Sequence, residues 1–170
     1  MNSPIAQRVQ AALDELEASF EVIDIDPDLA DTAAFCEHYG YSADESANAI
    51  VVASKRPPGS NAVCVVLANT RLDVNRRVRG LLEVKKLSFA GADPTKQITG
   101  MLIGGVTPFG LPDSLPIFVD SRVMDLESVI VGGGDRSTKI LVKPEVFARM
   151  PAASVIQDLA NPILPSAPTA

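Results

Sequence analysis

Two nearly unbroken apolar runs constrain this chain most: AIVVAS at residues 49–54 and AVCVVLA at residues 62–68, joined by Lys55-Arg56-Pro57-Pro58-Gly59-Ser60-Asn61. Short runs rich in valine and alanine and bounded by turn formers read as strands, and the proline and glycine between them mark a hairpin connection. A strand with one wet face alternates apolar and polar residues, and neither run does so. Both strands must therefore be covered on both faces, or form the wall of a closed, barrel-like sheet.

The rest of the chain supplies the cover. Ser3-Pro4 reads as an N-cap with a first-turn proline, and Ile5, Val9, Leu13 and Leu16 recur at helical spacing after it. Residues 20–25 alternate as a strand ended by Asp26-Pro27, and a second helix runs from Asp31 as cap through Phe35 and Tyr39 to a stop at Gly40. Asp73 can cap a third helix with Val74, Val78, Leu81 and Leu82 inward and arginines outward. A strand at 87–90, a short helix from Asp93-Pro94-Thr95 to Gly100, strands at 116–120, 128–131 and 139–142, and a small helix opened by Lys143-Pro144-Glu145 follow. Helices and strands interleave without a regular βαβ period. The pattern predicts an α+β fold with a mixed, curved, barrel-like sheet surrounded by helices. At 170 residues one domain is expected, over residues 1–160, with a flexible proline- and alanine-rich tail at 161–170.

No apolar run reaches the length that spans a bilayer, and the acidic, amphipathic N-terminus does not resemble a secretory signal, so no membrane association and a cytoplasmic location are expected. Cys36 and Cys64 form no C-x-x-C pair and read as buried small hydrophobes. The one histidine, His38, falls on the second helix, and nothing beside it in sequence builds a nucleophilic triad or a zinc site. Gly132-Gly133-Gly134-Asp135-Arg136-Ser137 has serine where a dinucleotide fingerprint needs its third glycine, and a strand follows where that fingerprint needs a helix. No cofactor and no metal are expected.

The net charge of −6 opposes indiscriminate binding of nucleic acid, but its distribution is uneven. Between residues 71 and 86 stand six bases, Arg71, Arg76, Arg77, Arg79, Lys85 and Lys86, against two acids, leaving nine bases and nineteen acids elsewhere. A local basic surface on an acidic body suits one phosphate-bearing partner. A solvated helix face is the competing reading.

The loop Gly104-Gly105-Val106-Thr107-Pro108-Phe109-Gly110 concentrates three glycines and a proline. Glycine lets peptide N–H groups approach a ligand with no Cβ in the way, and proline holds φ near one value. The loop reads as a pre-shaped cradle, or more plainly as a tight turn.

Taken in order, Asp31-Thr32-Ala33, Ala47-Asn48-Ala49-Ile50-Val51-Val52, GGVTPFGLP at 104–112, PIFVD at 116–120 and VIVGGGDRSTKILVKPE at 129–145 resemble the YbaK and prolyl-tRNA-synthetase-associated editing domains. The resemblance implies a trans-acting aminoacyl-tRNA deacylase, which hydrolyses the ester joining a wrong amino acid to the 3′ end of tRNA. Gly104, Gly105, Thr107 and Pro108 match the loop that in the family holds the terminal adenosine and the ester carbonyl. Ile50, Val106, Phe109 and Gly110 would bind substrate beside it, and Gly132, Gly133 and Gly134 would line the opposite wall. The basic residues between 71 and 86 are the expected tRNA contact, on charge alone. A synthetase is a further candidate partner, and both a monomer and a homodimer fit the sequence.

One departure matters. Many family members carry a substrate-positioning lysine where this chain has Asn48, and an amide keeps a hydrogen-bond donor but no charge. Lys139, on the strand after the glycine hairpin, is the candidate replacement cation. A surface lysine guarding an edge strand is the alternative. A non-catalytic binding module that kept the pocket is the corresponding alternative for the whole protein.

Overall fold

The computed structural model describes residues 3–163. Helix α1 (Pro4–Glu15) starts as its sequence predicts: the Ser3 hydroxyl accepts the Ala6 N–H at 3.0 Å, Pro4 opens the first turn, and Ala6, Val9 and Leu13 are buried. Strand β1 (Phe20–Asp24) and helix α2 (Thr32–Tyr39) follow, α2 stopping at Gly40 in the left-handed conformation. The two apolar runs form a long antiparallel hairpin of β2 (Ala47–Arg56) and β3 (Pro58–Leu67).

After β4 (Thr70–Leu72), a π-helical turn at Val74–Val78 runs into α3 (Arg79–Leu82), then β5 (Lys86–Phe89) and α4 (Ala92–Thr99). The remaining elements are β6 (Ile117–Asp120), α5 (Ser121–Met124), β7 (Val129–Gly132), β8 (Thr138–Val142), α6 (Val146–Arg149), β9 (Ala153–Ile156) and β10 (Ala160–Pro162). Asn161 and Pro162, at the start of the expected tail, pair with Arg71 and Thr70, and residues 164–170 of that tail lie outside the described residues.

The larger sheet has the order β5-β2-β3-β6-β9 and is mixed: β2 pairs antiparallel with β3 and β5, while β6 pairs parallel with β3 and β9. This arrangement explains the missing alternation. Val63, Val65 and Leu67 of β3 enter one apolar cluster with α1 and the β7–β8 hairpin, and Ala62, Cys64 and Val66 enter another beneath Val74, Val78 and Leu159. A strand covered on both sides has no wet face to mark with polar residues.

The α+β class is as expected, but the barrel does not close. Strands β1, β8 and β7 form a separate antiparallel sheet, touching β2 through one parallel bridge between Ser46 and Ile130, and β4 with β10 form a third. At the glycine end of the β7–β8 hairpin the Gly134 N–H donates to the Gly105 carbonyl at 2.8 Å.

The far end of the sheet is tied by Asp120, whose side chain is fully buried. Its Oδ1 accepts the Arg122 N–H at 3.1 Å, capping α5, and its Oδ2 accepts the Ala160 N–H at 3.1 Å and lies 3.2 Å from the Arg122 guanidinium. Asp120→Ala strands a buried N–H and removes the cap, so urea unfolding should show a loss of about 3 kcal/mol.

Candidate active site

A cavity of about 500 Å³ opens between the two larger sheets. Its walls are the start of α2, the first half of β2 from Ala47 to Val51, the end of β5, the Ile103–Gly104 turn with Val106, and the ends of β7 and β8 at Gly132 and Lys139. Of the residues singled out by sequence, Asn48, Ile50, Gly104, Val106, Gly132 and Lys139 meet here.

Lys139 is the least expected of them in its environment. It lies on β8, the central strand of its sheet, and is only 7% exposed, so it guards no edge. Its Nζ sits 5.3 Å from the centroid of the Phe35 ring, a cation–π distance. Burial pushes its pKa below the ordinary lysine value; Cys36 and Asp31 oppose that shift and the Arg136 guanidinium adds to it. Among the described residues no carboxylate lies within 4.0 Å of its amine. Among the described residues the amine therefore has an aromatic face but no salt bridge, the costly state of a buried charge without a partner.

Asn48 stands on the facing strand, where the Thr32 hydroxyl donates to its Oδ1 at 2.7 Å. That bond fixes the carbonyl side of the amide and leaves its NH₂ as the donor available to the cavity. The cavity is otherwise apolar along Ala47, Ala49, Ile50 and Val51, with no charged side chain on that wall.

The other loop residues lie elsewhere, which revises their expected role in direct contact. Phe109 is fully buried and stacks on Phe147 with ring centroids 5.9 Å apart, drawing the segment into the core. Thr107 is fully buried and its hydroxyl has no hydrogen-bond partner among the described residues. Pro108 and Gly110 border a different cleft, with Ala12, Leu16 and Met150. The glycines are needed because protein comes close: a Cβ on Gly105 would lie 2.6 Å from the Asp135 carbonyl oxygen, one on Gly133 would overlap the Thr138 hydroxyl, and one on Gly134 would lie 2.7 Å from Ile5 of α1.

Sequence reading missed Arg136. Its Nη2 donates to the Pro27 carbonyl at 3.2 Å and its Nη1 to the Ile103 carbonyl at 3.4 Å, with Asp31 Oδ1 at 3.7 Å, so it pins the Gly104 turn to the start of α2. Gly104, at φ +86°, has no Cβ to displace this guanidinium. Thr32, Phe89 and Thr95 also line the cavity without having been singled out. The segment Asp31-Thr32-Ala33 was legible as a motif, but a hydroxyl reaching Asn48 depends on tertiary placement.

The bases Arg71, Arg76, Arg77, Arg79, Lys85 and Lys86 are all exposed and none lines the cavity. Arg71 and Arg76 border an adjoining groove of about 740 Å³ that meets the cavity at Phe89. Among the described residues no three histidine, cysteine, aspartate or glutamate side chains cluster as metal ligands, and no helix is long and apolar enough to cross a membrane.

Solved structures share this fold. A hypothetical protein superposes with a TM-score of 0.80 at 21% identity, over 91% of this chain and 99% of its own. A protein described as a candidate trans-editing enzyme for prolyl tRNA synthetase gives 0.77 at 22%, over 95% of this chain and 99% of its own. A candidate signal transduction protein from Marinobacter aquaeolei VT8 gives 0.62 at 18%, over 91% of this chain but 30% of its own, so the fold there is part of a longer chain. The family model described as aminoacyl-tRNA editing domain matches residues 26–150. That span contains every residue lining the cavity, from Ala30 to Lys139, and the chain belongs to the aminoacyl-tRNA editing domain family.

Proposed function

We propose that the protein is a trans-acting aminoacyl-tRNA deacylase whose site uses Lys139 in place of the lysine absent at Asn48. The observation that carries this reading is the buried amine of Lys139 in the same cavity as Asn48 and Gly104. Water adds to the ester carbonyl, the carbonyl oxygen takes the negative charge, and the bond from carbonyl carbon to ribose oxygen then breaks, the proton passing to that oxygen. Free amino acid and a ribose hydroxyl result. Fixed donors stabilise the oxyanion best because they need no reorganisation, and an ammonium acts more strongly than a neutral amide. Lys139, the Asn48 amide and the backbone at Gly104 supply that set. The buried glycines and Thr107, Pro108 and Phe109 hold the loop in place.

The resemblance to the editing domains implies that the vicinal ribose hydroxyl of the tRNA helps activate the water, which fits a cavity lined by no histidine. An amino-acid side chain seated against the wall of Ala47, Ala49, Ile50 and Val51 would be uncharged, since that wall offers a charge no partner.

A panel of mischarged tRNAs tests the reading, with loss of the aminoacyl ester followed over time. Hydrolysis of a small aminoacyl group, such as alanyl, seryl or cysteinyl, at least tenfold above the spontaneous rate is expected. Salt-dependent binding of tRNA with no turnover would instead support a non-catalytic module, the reading that the uncharged Asn48 favours.

A further inference from the structure

Phe89 is the one phenylalanine or tyrosine among the described residues that is exposed rather than buried or half-buried, at 57%. Five large hydrophobic side chains are exposed among the described residues, and three ring the two openings: Ile103 on the cavity, Ile163 on the adjoining groove, and Phe89 on both. A phenyl ring at the junction of two clefts is poorly explained by packing, because it ends β5 with most of its surface in solvent.

The adjoining groove differs in chemistry from the cavity. Arg71 and Arg76 stand on it, and neither forms an ion pair among the described residues. Its one acid, Asp73, is engaged as a helix cap, its Oδ1 accepting the Arg76 N–H at 3.1 Å. Asn75 and Asn161 complete a rim that offers amide donors and acceptors.

We propose that this groove seats the unpaired nucleotides preceding the ester-bearing adenosine, with one base stacked on Phe89 and the connecting phosphates beside Arg71 and Arg76. The proposal rests on the deacylase reading, which puts the aminoacylated adenosine in the cavity. Single-stranded nucleic acid is held in this way elsewhere, by an aromatic face that accepts any base and by cations that track the backbone. The ring thereby turns the strand from groove to cavity and sets which nucleotide enters.

The test uses an RNA microhelix with an unpaired 3′ end and pyrrolocytidine, a cytidine analogue quenched by stacking, in place of the nucleotide before the terminal adenosine. Wild-type protein and Phe89→Tyr should quench the probe. Phe89→Ala, a change at an exposed site, should abolish quenching and raise the dissociation constant about tenfold. Arg71→Gln with Arg76→Gln should weaken binding and lower the slope of log affinity against log salt by about 1.4. Unchanged quenching and affinity in Phe89→Ala overturn the proposal. Ester hydrolysis by wild type, measured in parallel, separates the two readings. Turnover with a silent Phe89→Ala rejects the groove alone, and Phe89-dependent quenching without turnover rejects the deacylase alone.

Discussion

Lys139→Met is expected to slow hydrolysis of the aminoacyl ester about 100-fold while leaving the fold as stable as the parent or more so. The loss of rate follows from removing one preorganised donor to the oxyanion, an effect typically of that size. The stability outcome follows from the same burial that makes the residue useful. Lys139 is 7% exposed with no carboxylate partner among the described residues, and burial lowers its pKa. A methionine of similar length fills the space beside Phe35 without a charge to desolvate. A lysine kept only for packing would show no loss of rate, and that result would remove it from the mechanism.

The pH dependence has a definite sign. Because the folded-state pKa lies below the usual value of 10.5, the native protein gives up the proton before the unfolded chain does. Between those two pKa values the unfolded state binds more protons, so the Lys139 contribution makes stability rise with pH across that window, and Lys139→Met loses the rise. Activity that depends on the ammonium moves oppositely, falling as pH climbs through the lowered pKa. Asn48→Lys in the Lys139→Met background should recover at least tenfold of the lost rate, since both positions face one cavity.

How much of this was legible in sequence differs between fold and site. The lack of alternation in residues 49–54 and 62–68 required cover on both faces, and β3 does feed two apolar clusters. Caps at Ser3, Asp73 and Gly40 were readable because a cap is a local bargain between a side chain and the nearest backbone groups. Closure of the sheet was not readable, since it depends on how far the β7–β8 hairpin pairs along β2 beyond the one bridge at Ser46 and Ile130, a contact between distant segments. Lys139 could be picked out as a cation, but its burial comes from β1 and β7 on either side and from α2 above. Arg136 stood inside the 129–145 segment but its role left no signal: its partners, Pro27, Asp31 and Ile103, are carbonyls and a carboxylate far away in the chain.

The glycine motif carries the second large prediction. Gly132 ends β7, lines the cavity, and adopts no left-handed φ, so alanine there meets no backbone penalty of its own. A methyl group would nevertheless overlap the Val106 carbonyl oxygen and lie 3.1 Å from that of Gly105. These are backbone atoms of the loop that the hairpin holds, so neither can swing away as a flexible side chain would. Gly132→Ala must therefore push the loop off the hairpin, straining the Gly134 to Gly105 hydrogen bond and shifting Gly104 relative to Lys139. Over-packing of this kind costs about 3 kcal/mol, equivalent to a fall in melting temperature of about 6–12 °C for a domain of this size. Gly80→Ala is the matched control: it lies in α3 with nothing within 4 Å of its added Cβ, and alanine should stabilise the helix by up to about 1 kcal/mol. If both variants melt with the parent, the glycines of the hairpin are not there to admit the loop. If Gly132→Ala alone melts early and also loses turnover at temperatures where it remains folded, close backbone contact between loop and hairpin sets the geometry of the site.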